Sequence, residues 1–571
     1  PRNTTFDVVF LLDSSNNVGR YSFRTAKWFA TNLLKYFSIF PANTRVAVAS
    51  YNGSVKLDFD FKKYVNKECV ERKIKSISFL DGSTDTGKAL EYVRTSLIHN
   101  ISTGARTNAQ KVIFLFTTGR NDENTLNPIK PALKLKQKGV KIFVLSLRGR
   151  SRFRFYGFRN VFRYKFRYWR TLSVLRKIAS GSWYLLSARS YAAFYRVRRL
   201  LRLARPNRCY SDKPVLDECG RRCKCVYGKL VQCSRLRKEF LDMTKAERKR
   251  YIDTVKTAST HSAYKERYER LLTLHRDIFD TAIHDLDYFL PWHRWFILEY
   301  ENLLREIDCR ITVPYWDWSL AGANPLSSDV WNPGPHGLGG NGERPQNCVN
   351  SGPFRAEVWS LTRSAGGGCL RRDFNMRTPD AVAVKQLIMG NSNASDFETF
   401  EFLLRLEFHD LVHCVIDGTM CSLDSATAPE FFLHHAFVDK IWWDWQRLSA
   451  NHTFNEYFLN QTQRMPGTVY KSKDLLDLND QPGCVCAKYV PSRSKIYSAL
   501  QEVSAKKLFS IKRLPMPHMP EKAKKLFKIT EEELERLHKL MAYMEPKQKM
   551  KSSWLSGTDK ALGFKASDIL K

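Results

Sequence analysis

Residues 407–414 read EFHDLVHC and residues 428–446 read APEFFLHHAFVDKIWWDWQ, and the histidines inside them decide how the second half of the chain is read. His409 and His413 stand four positions apart, so on a helix both rings project from one face toward a common point. Upstream, residues 272–301, LTLHRDIFDTAIHDLDYFLPWHRWFILEYE, add His275, His284 and His293. Nine of the 13 histidines fall between residues 261 and 435, embedded in aromatic and apolar sequence. A buried imidazole needs a partner for each ring nitrogen, so such a cluster is costly unless a metal or hydrogen bonds satisfy it. Imidazoles without an accompanying cysteine or carboxylate set suit copper better than calcium or magnesium. A zinc hydrolase of the HExxH pattern is disfavoured, because Asp410 follows His409 and no Glu lies between the pair. Spacing alone leaves the metal open.

The surrounding phrases are more specific. FLPWHRWF (289–296), VPYWDWS (313–319), HDLVH (409–413) and PEFFLHHAFVDKIW (429–442), with the collar CKCVYGKLVQC (223–233) and the ending DLLDLNDQPGCVC (474–486), resemble the tyrosinase and molluscan hemocyanin group of type-3 copper proteins, nearest to secreted invertebrate tyrosinases. The resemblance covers about residues 209–505 and implies a mainly α-helical domain with a four-helix-bundle core around two copper ions. Carried over by position, His275, His284 and His293 would hold the first copper, and His409, His413 and His435 the second, with His434 a neighbour. His261 is the upstream alternative to His275, which the phrase YERLLTLH (268–275) favours. Asp439 matches an aspartate that orients a ligand imidazole, and Phe431 an aromatic packed beside the coppers. Ala282 occupies the position where some relatives carry a thioether cysteine, so no such crosslink is expected. The implied activity is oxidation of o-diphenols to o-quinones by O₂, with hydroxylation of monophenols as a further step. That step needs a base; Asp410 is the candidate, with Glu398, Glu401 and Glu407 as possible supports.

The amino-terminal half follows another grammar. Short apolar runs at Phe6–Leu12, Thr44–Tyr51, Lys111–Phe116 and Val140–Leu147 alternate with amphipathic stretches at Tyr21–Phe37, Lys88–His99 and Leu126–Lys138. Strand and helix in alternation predict a doubly wound, Rossmann-type α/β sheet, with ligand positions beyond the carboxyl ends of its strands. FDVVFLLDSS (6–15), GSTDTGKAL (82–90) and VIFLFTTG (112–119) resemble a von Willebrand factor A domain over roughly residues 5–200. That family holds Mg²⁺ through a DxSxS loop, a loop Thr and a later Asp. Asp13, Ser15 and Thr84 match, whereas Asn17 and Thr118 stand at the other two positions, which predicts a weak Mg²⁺ site or a metal-free scaffold that binds a partner.

These readings divide the chain into an A-type domain at 1–205 with a basic aromatic insert at 148–170, a cysteine-rich connector at 206–235, a copper domain at 236–505 and a Lys-rich extension at 506–571. The net charge of +36 would suit a nucleic-acid binder, but residues 148–208 alone hold 18 Lys/Arg and no Asp or Glu, and no recognition motif accompanies them. Alternating arginine and aromatic residues fit an adhesive face for acidic polymers or a merely solvated segment. Thirteen cysteines and six Asn-x-Ser/Thr sequons, at Asn3, Asn52, Asn100, Asn393, Asn451 and Asn460, point to an oxidising, glycosylating route. The chain starts at Pro1 with no charged-then-apolar leader, which fits a secretory signal already removed or left outside the sequence. The connector's Cys209, Cys219, Cys223, Cys225 and Cys233 allow zinc or disulfides; with no second cluster beside them disulfides are expected, and the odd cysteine total leaves one thiol unpaired or intermolecular, the isolated Cys69 being a candidate.

The expected whole is a secreted matrix protein and polyphenol oxidase with no membrane span. Its substrates would be phenolic small molecules or protein tyrosine and DOPA side chains, and its A-type domain would bind matrix proteins or acidic polymers. A carrier-like or non-catalytic copper matrix protein is the alternative. The sequence ITEEELERLHKLMAYM (529–544) reads as an amphipathic helix behind a capping box, in a tail that either covers the copper site or packs as an extension.

Overall fold

The computed structural model describes residues 4–64, 66–148, 171–188, 190–203, 209, 213–449, 452 and 461–544. Most of the basic aromatic insert, residues 149–170, and the sequons at Asn3, Asn451 and Asn460 lie outside them. The chain forms two compact units, one of residues 1–215 with 223–232, the other of residues 216–222 with 233–571, so both units draw on the segment read as a connector.

In the first unit β1 (Phe6–Asp13), α1 (Gly19–Leu33), β2 (Thr44–Tyr51), β3 (Val55–Phe59), α2 (Lys67–Ser76), α3 (Thr86–Tyr92), β4 (Gln110–Thr117), α4 (Ile129–Gln137), β5 (Lys141–Ser146), β6 (Leu185–Ser187) and α5 (Tyr191–Leu200) follow in order. The sheet runs β3-β2-β1-β4-β5-β6. All neighbours are parallel except β2 and β3, an antiparallel edge pair that the apolar pattern did not reveal because β3, VKLDF, is half polar. β1 is buried on both faces, as a central parallel strand must be. Its Val8, Phe10 and Leu12 pack with residues of α1, α2 and α5, and its Val9 and Leu11 with residues of α3 and α4. The strand order reverses beside β1, which brings Asp13 at its end next to the end of β4.

In the second unit the last residues of β7 (Lys229–Arg237) pair in parallel with β8 (Ala487–Tyr489). Between them come α6 (Lys245–Thr260), started by a Thr244/Glu247 capping box, α7 (Ser262–Asp277), α8 (Phe289–Ile307), α9 (Phe397–Arg405), α10 (Leu411–Ile416) and α11 (Phe431–Gln446). A π-helical turn at Leu406–Asp410 joins α9 to α10, one of the wide turns that recur at functional sites. After β8 the tail forms α12 (Lys495–Glu502), α13 (Glu521–Phe527) and α14 (Glu531–Met544), and Leu500, Leu508, Ala523, Leu534 and Leu537 are buried in this unit. Thr530 and Glu533 make the expected capping box at the start of α14.

Twelve cysteines are disulfide-bonded, among them the pairs Cys209–Cys225, Cys219–Cys309, Cys348–Cys369 and Cys414–Cys421. Cys69 is one of the bonded twelve, so the expected spare thiol is corrected to Cys486, whose partly buried sulfur lies 3.0 Å from Ser234 Oγ. Sequence position misled here because isolation along the chain says nothing of distance in space.

Fully buried ion pairs fix the helices around the core. Glu301 on α8 accepts from Arg235 at 2.7 Å and Arg237 at 2.9 Å. Burial alone would raise its carboxyl, but Arg237, Arg235 and Arg305 together hold it at about 2, against 4.5 unperturbed. A lowered carboxyl stabilises the fold above the unfolded value and loses that contribution as pH falls through the folded one. Glu301→Gln, which leaves Arg235 and Arg237 facing a neutral group, is expected to cost about 3–5 kcal/mol at neutral pH. Chemical denaturation should show the gap to wild type closing between pH 4.5 and about 2; a gap independent of pH would contradict this account.

Candidate metal centre

Four helical segments and one loop bring seven histidines together. His275 ends α7, His293 lies in the second turn of α8, His409 and His413 flank the junction of the π-helical turn with α10, and His434 and His435 begin α11. His284 sits on a single 3₁₀ turn between α7 and α8. The donor atoms of His275, His284 and His293 lie within 4.8 Å of one another, as do those of His409, His413, His434 and His435. The two groups face each other: the His293 and His435 rings stack at 4.5 Å and the His284 and His409 rings are 5.9 Å apart. His261, the alternative to His275, instead caps the start of α7 by accepting from Ala263 N–H.

Three of the rings are held from behind by main-chain carbonyls. His293 Nδ1 donates to the Phe289 carbonyl at 2.8 Å, His413 Nδ1 to the Met420 carbonyl at 2.8 Å and His284 Nδ1 to the Phe279 carbonyl at 3.2 Å. A carbonyl only accepts, so Nδ1 carries the proton in these rings and Nε2 presents a lone pair to the centre. The Nε2 of His435 lies 3.3 Å from that of His409 and 3.1 Å from that of His413. One proton on His435 Nε2 would satisfy only one of these contacts, leaving lone pair against lone pair in the other. Protonating the rings is no remedy, because burial drives them all down, His284 to about 3 and His413 to about 4. Both nitrogens of His275 and Nε2 of His293 are buried without a hydrogen-bond partner. Converging neutral nitrogen donors in an apolar pocket fit a cation, and all-imidazole donors fit copper.

His434 differs from the rest. Trp318 Nε1 donates to its Nδ1 at 3.2 Å, which puts the ring proton on Nε2 and removes that lone pair from metal binding. Phe431 stacks on His435 with centroids 4.0 Å apart and also meets His275 and His413 edge-on. Asp439 does not bond an imidazole; it accepts from Arg294 at 2.6 Å, Tyr489 at 2.5 Å and Arg237 at 3.4 Å. Its hold on the site runs through Arg294, the residue after His293, whose guanidinium lies over the Trp442 ring.

Asp410 Oδ1 is 2.7 Å from His409 Nδ1, on the edge of that ring away from the cluster. The expectation of a base facing a phenol is therefore corrected: Asp410, the last residue of the π-helical turn, is buried and bonded to His409 Nδ1, so its carboxyl orients that ring. Glu401 pairs with Arg405, Glu398 is exposed and meets Arg536 of α14, and burial raises Glu407 to about 7.

A residue that sequence reasoning missed closes the centre. Phe527, the last residue of α13, places its ring 5.8 Å from those of His284, His409 and His413 and 5.7 Å from Phe279. No motif announced it, because a lone Phe in a Lys-rich tail carries no local signal. His518 and His538 are both exposed and belong to neither histidine group.

The family profile described as the common central domain of tyrosinase matches residues 255–448, and that of the von Willebrand factor type A domain matches residues 7–156. The tyrosinase of Streptomyces lincolnensis is 32% identical over 234 residues, which is 37% of this chain and 82% of the relative. The chain belongs to the tyrosinase family. The tyrosinase of Streptomyces antibioticus is 30% identical over 254 residues, 40% of this chain and 92% of the relative. Among solved structures, proximal thread matrix protein 1 from the mussel byssus is 21% identical, with a TM-score of 0.28 covering 35% of this chain and 47% of that one. The chain thus combines a tyrosinase domain with an A-type unit, and no helix among the described residues is long and apolar enough to cross a membrane.

The rim of the A-type unit is satisfied from within. Asp13, raised to about 6 by burial, accepts from Ser15 Oγ at 2.6 Å and Thr117 Oγ1 at 2.8 Å. The Asn17 amide donates to Thr84 Oγ1 at 2.9 Å and to Asp122 Oδ1 at 3.3 Å. Asp122 also accepts from Thr84 N–H; it lies four residues past Thr118 in the loop, where a search for the missing carboxylate could have reached it. The amide nitrogen of Asn17 joins groups that a hard cation would otherwise bridge.

Two outcomes follow. His413→Ala in the tyrosinase domain is expected to lose bound copper while far-UV circular dichroism stays that of the wild type; full copper content in the variant would contradict the assignment. Adding EDTA or millimolar Mg²⁺ should leave the thermal unfolding of the A-type unit within the full chain unmoved, and a Mg²⁺-dependent rise would show that Asn17 does not replace the ion.

Proposed function

We propose that this chain is an extracellular, copper-dependent oxidase of phenols that makes o-quinones for protein crosslinking, tanning or pigment, held in a matrix by its A-type unit. The observation that carries the reading is the pair of facing histidine groups, in which both nitrogens of His275 and Nε2 of His293 are buried without a partner and the Nε2 atoms of His409, His413 and His435 converge. His275, His284 and His293 hold one copper; His409, His413 and His435 hold the other; His434 packs between Trp318 and His409. Two bound coppers supply the redox chemistry with O₂ that turns an o-diphenol into an o-quinone and water. The chain's own part is to fix the rings, through the carbonyls behind them and Asp410 behind His409, and to wall the pocket with Phe431. With the Asp410 carboxyl engaged by His409 rather than free to act as a base, diphenols are the better substrates and monophenols the poorer. Extracellular placement draws support from the twelve bonded cysteines and from exposed sequons at Asn100 and Asn393.

The tail keeps the enzyme latent. Phe527 stands against both histidine groups, where a planar phenol would have to enter. Buried Ala523 packs on Cys414 and Cys421, and Lys528–Asp280 at 2.7 Å and Arg536–Glu398 at 2.9 Å tie down the neighbouring turns. Oxygen uptake by the copper-loaded chain with catechol, compared with a monophenol and an apo control, tests the oxidase. Phe527→Gly is expected to raise catechol turnover about tenfold at unchanged copper content, the ratio that a covering contact of about 1.4 kcal/mol produces. Catechol turnover equal to wild type would remove Phe527 as the cover, and copper-loaded protein inert in both forms would remove the oxidase.

A further inference from the structure

On one face of the A-type sheet α1 and α5 lie side by side, with the Phe29 and Phe194 rings stacked at 4.1 Å. Neither helix contains an acidic residue: α1 reads GRYSFRTAKWFATNL and α5 reads YAAFYRVRRL. Their inner rings belong to the core, but the outer ones stay in water. Tyr191 is 75% exposed, Tyr195 60%, Tyr21 72% and Trp28 44%, and Trp28 meets Tyr191 edge-on at 6.0 Å. Cations are interleaved with them. Arg198 lies over the Tyr195 ring at 5.3 Å, and Lys35 over the Tyr36 and Phe194 rings at 5.2 Å.

Large exposed rings gathered on one face of a soluble domain mark a binding surface, since isolated ones need no explanation but a contiguous patch does. Here exposed rings stand beside cations, the Arg198 guanidinium over Tyr195 and the Lys35 ammonium over Tyr36 and Phe194. Tyr191 and Tyr195 are one helical turn apart, about 6 Å along the axis, so the surface offers a repeat to a chain-like ligand. Rings accept the flat C–H faces of sugars, and a guanidinium pairs with sulfate or carboxylate through two parallel N–H donors. We propose that this face of α1 and α5 binds an acidic polysaccharide, so that the A-type unit anchors the oxidase to an anionic sugar matrix. This inference deepens the matrix-binding half of the reading above and is independent of the copper half. The contribution of the rings separates it from attraction by net charge alone, which the segment 148–208 would provide to any polyanion.

The test uses the full chain and the double variant Tyr191→Ala/Tyr195→Ala, two exposed positions whose loss leaves the core intact. Binding to immobilised dextran sulfate and alginate is measured at fixed salt, beside uncharged dextran, duplex DNA and polyglutamate. The expected result is binding of both acidic polysaccharides ahead of DNA and polyglutamate, weakened about tenfold in the double variant. Oxygen uptake with catechol should be equal in the two proteins. Equal affinity for DNA or polyglutamate, or a variant that binds the polysaccharides as tightly as wild type, would overturn the proposal. Loss of catechol oxidation in both proteins, with polysaccharide binding kept, would sink the oxidase and leave this surface standing.

Discussion

Everything in the second unit is arranged around one difficulty, the convergence of neutral imidazole lone pairs in a largely buried cluster. Burial holds the rings uncharged, and contacts of 3.1 and 3.3 Å between Nε2 atoms cannot both be hydrogen bonds. Four of the rings are steadied by ties on their far side, whereas His275 has no partner on either nitrogen. The carbonyls of Phe279, Phe289 and Met420 and the carboxylate of Asp410 provide those ties, and each comes from the same local segment as the ring it holds. The helices must then be held against one another. Asp439 on α11 binds Arg294 on α8 and Arg237 on β7, and Arg237 returns to Glu301 on α8, so one buried network joins three elements of the centre. Its charges are compensated within the core, which makes it specific in geometry and intolerant of losing one member.

The division between what the sequence disclosed and what it hid follows the range of the interactions. β1 and β4 were legible because a strand covered on both faces must be apolar throughout, and His409 with His413 because residues four apart share a helix face, whereas His275, His284 and His293 were picked out by the phrases around them. The thiol pairing was not legible: Cys69 and Cys486 exchanged roles once the chain was folded. Asp410 was correctly placed next to His409, but its direction depended on a π-helical turn that no residue in LEFHD signals. Asp439 was expected to orient a ligand imidazole, yet it bonds none, and its partners Arg237 and Tyr489 come from 202 and 50 residues away. Phe527 reaches the centre from the tail, 114 positions beyond His413 by number (527 less 413), and only the fold reveals the contact.

The two units place oxygen- and nitrogen-bearing side chains in similar clusters and treat them in opposite ways. At the A-type rim every group has an answer inside the protein: Asp13 accepts from two hydroxyls, and the Asn17 amide joins Thr84 to Asp122. In the tyrosinase domain the corresponding atoms are left without one, with both nitrogens of His275 and Nε2 of His293 buried and unpartnered. Hydrogen bonding within a cluster lowers what an ion can add, whereas orphaned donors make the ion part of the fold's own stability. A match of residue types to a metal-binding pattern is therefore weaker information than the state of their lone pairs. By that criterion the histidine centre calls for an ion and the A-type rim, where the Asn17 amide bonds Thr84 Oγ1, does not.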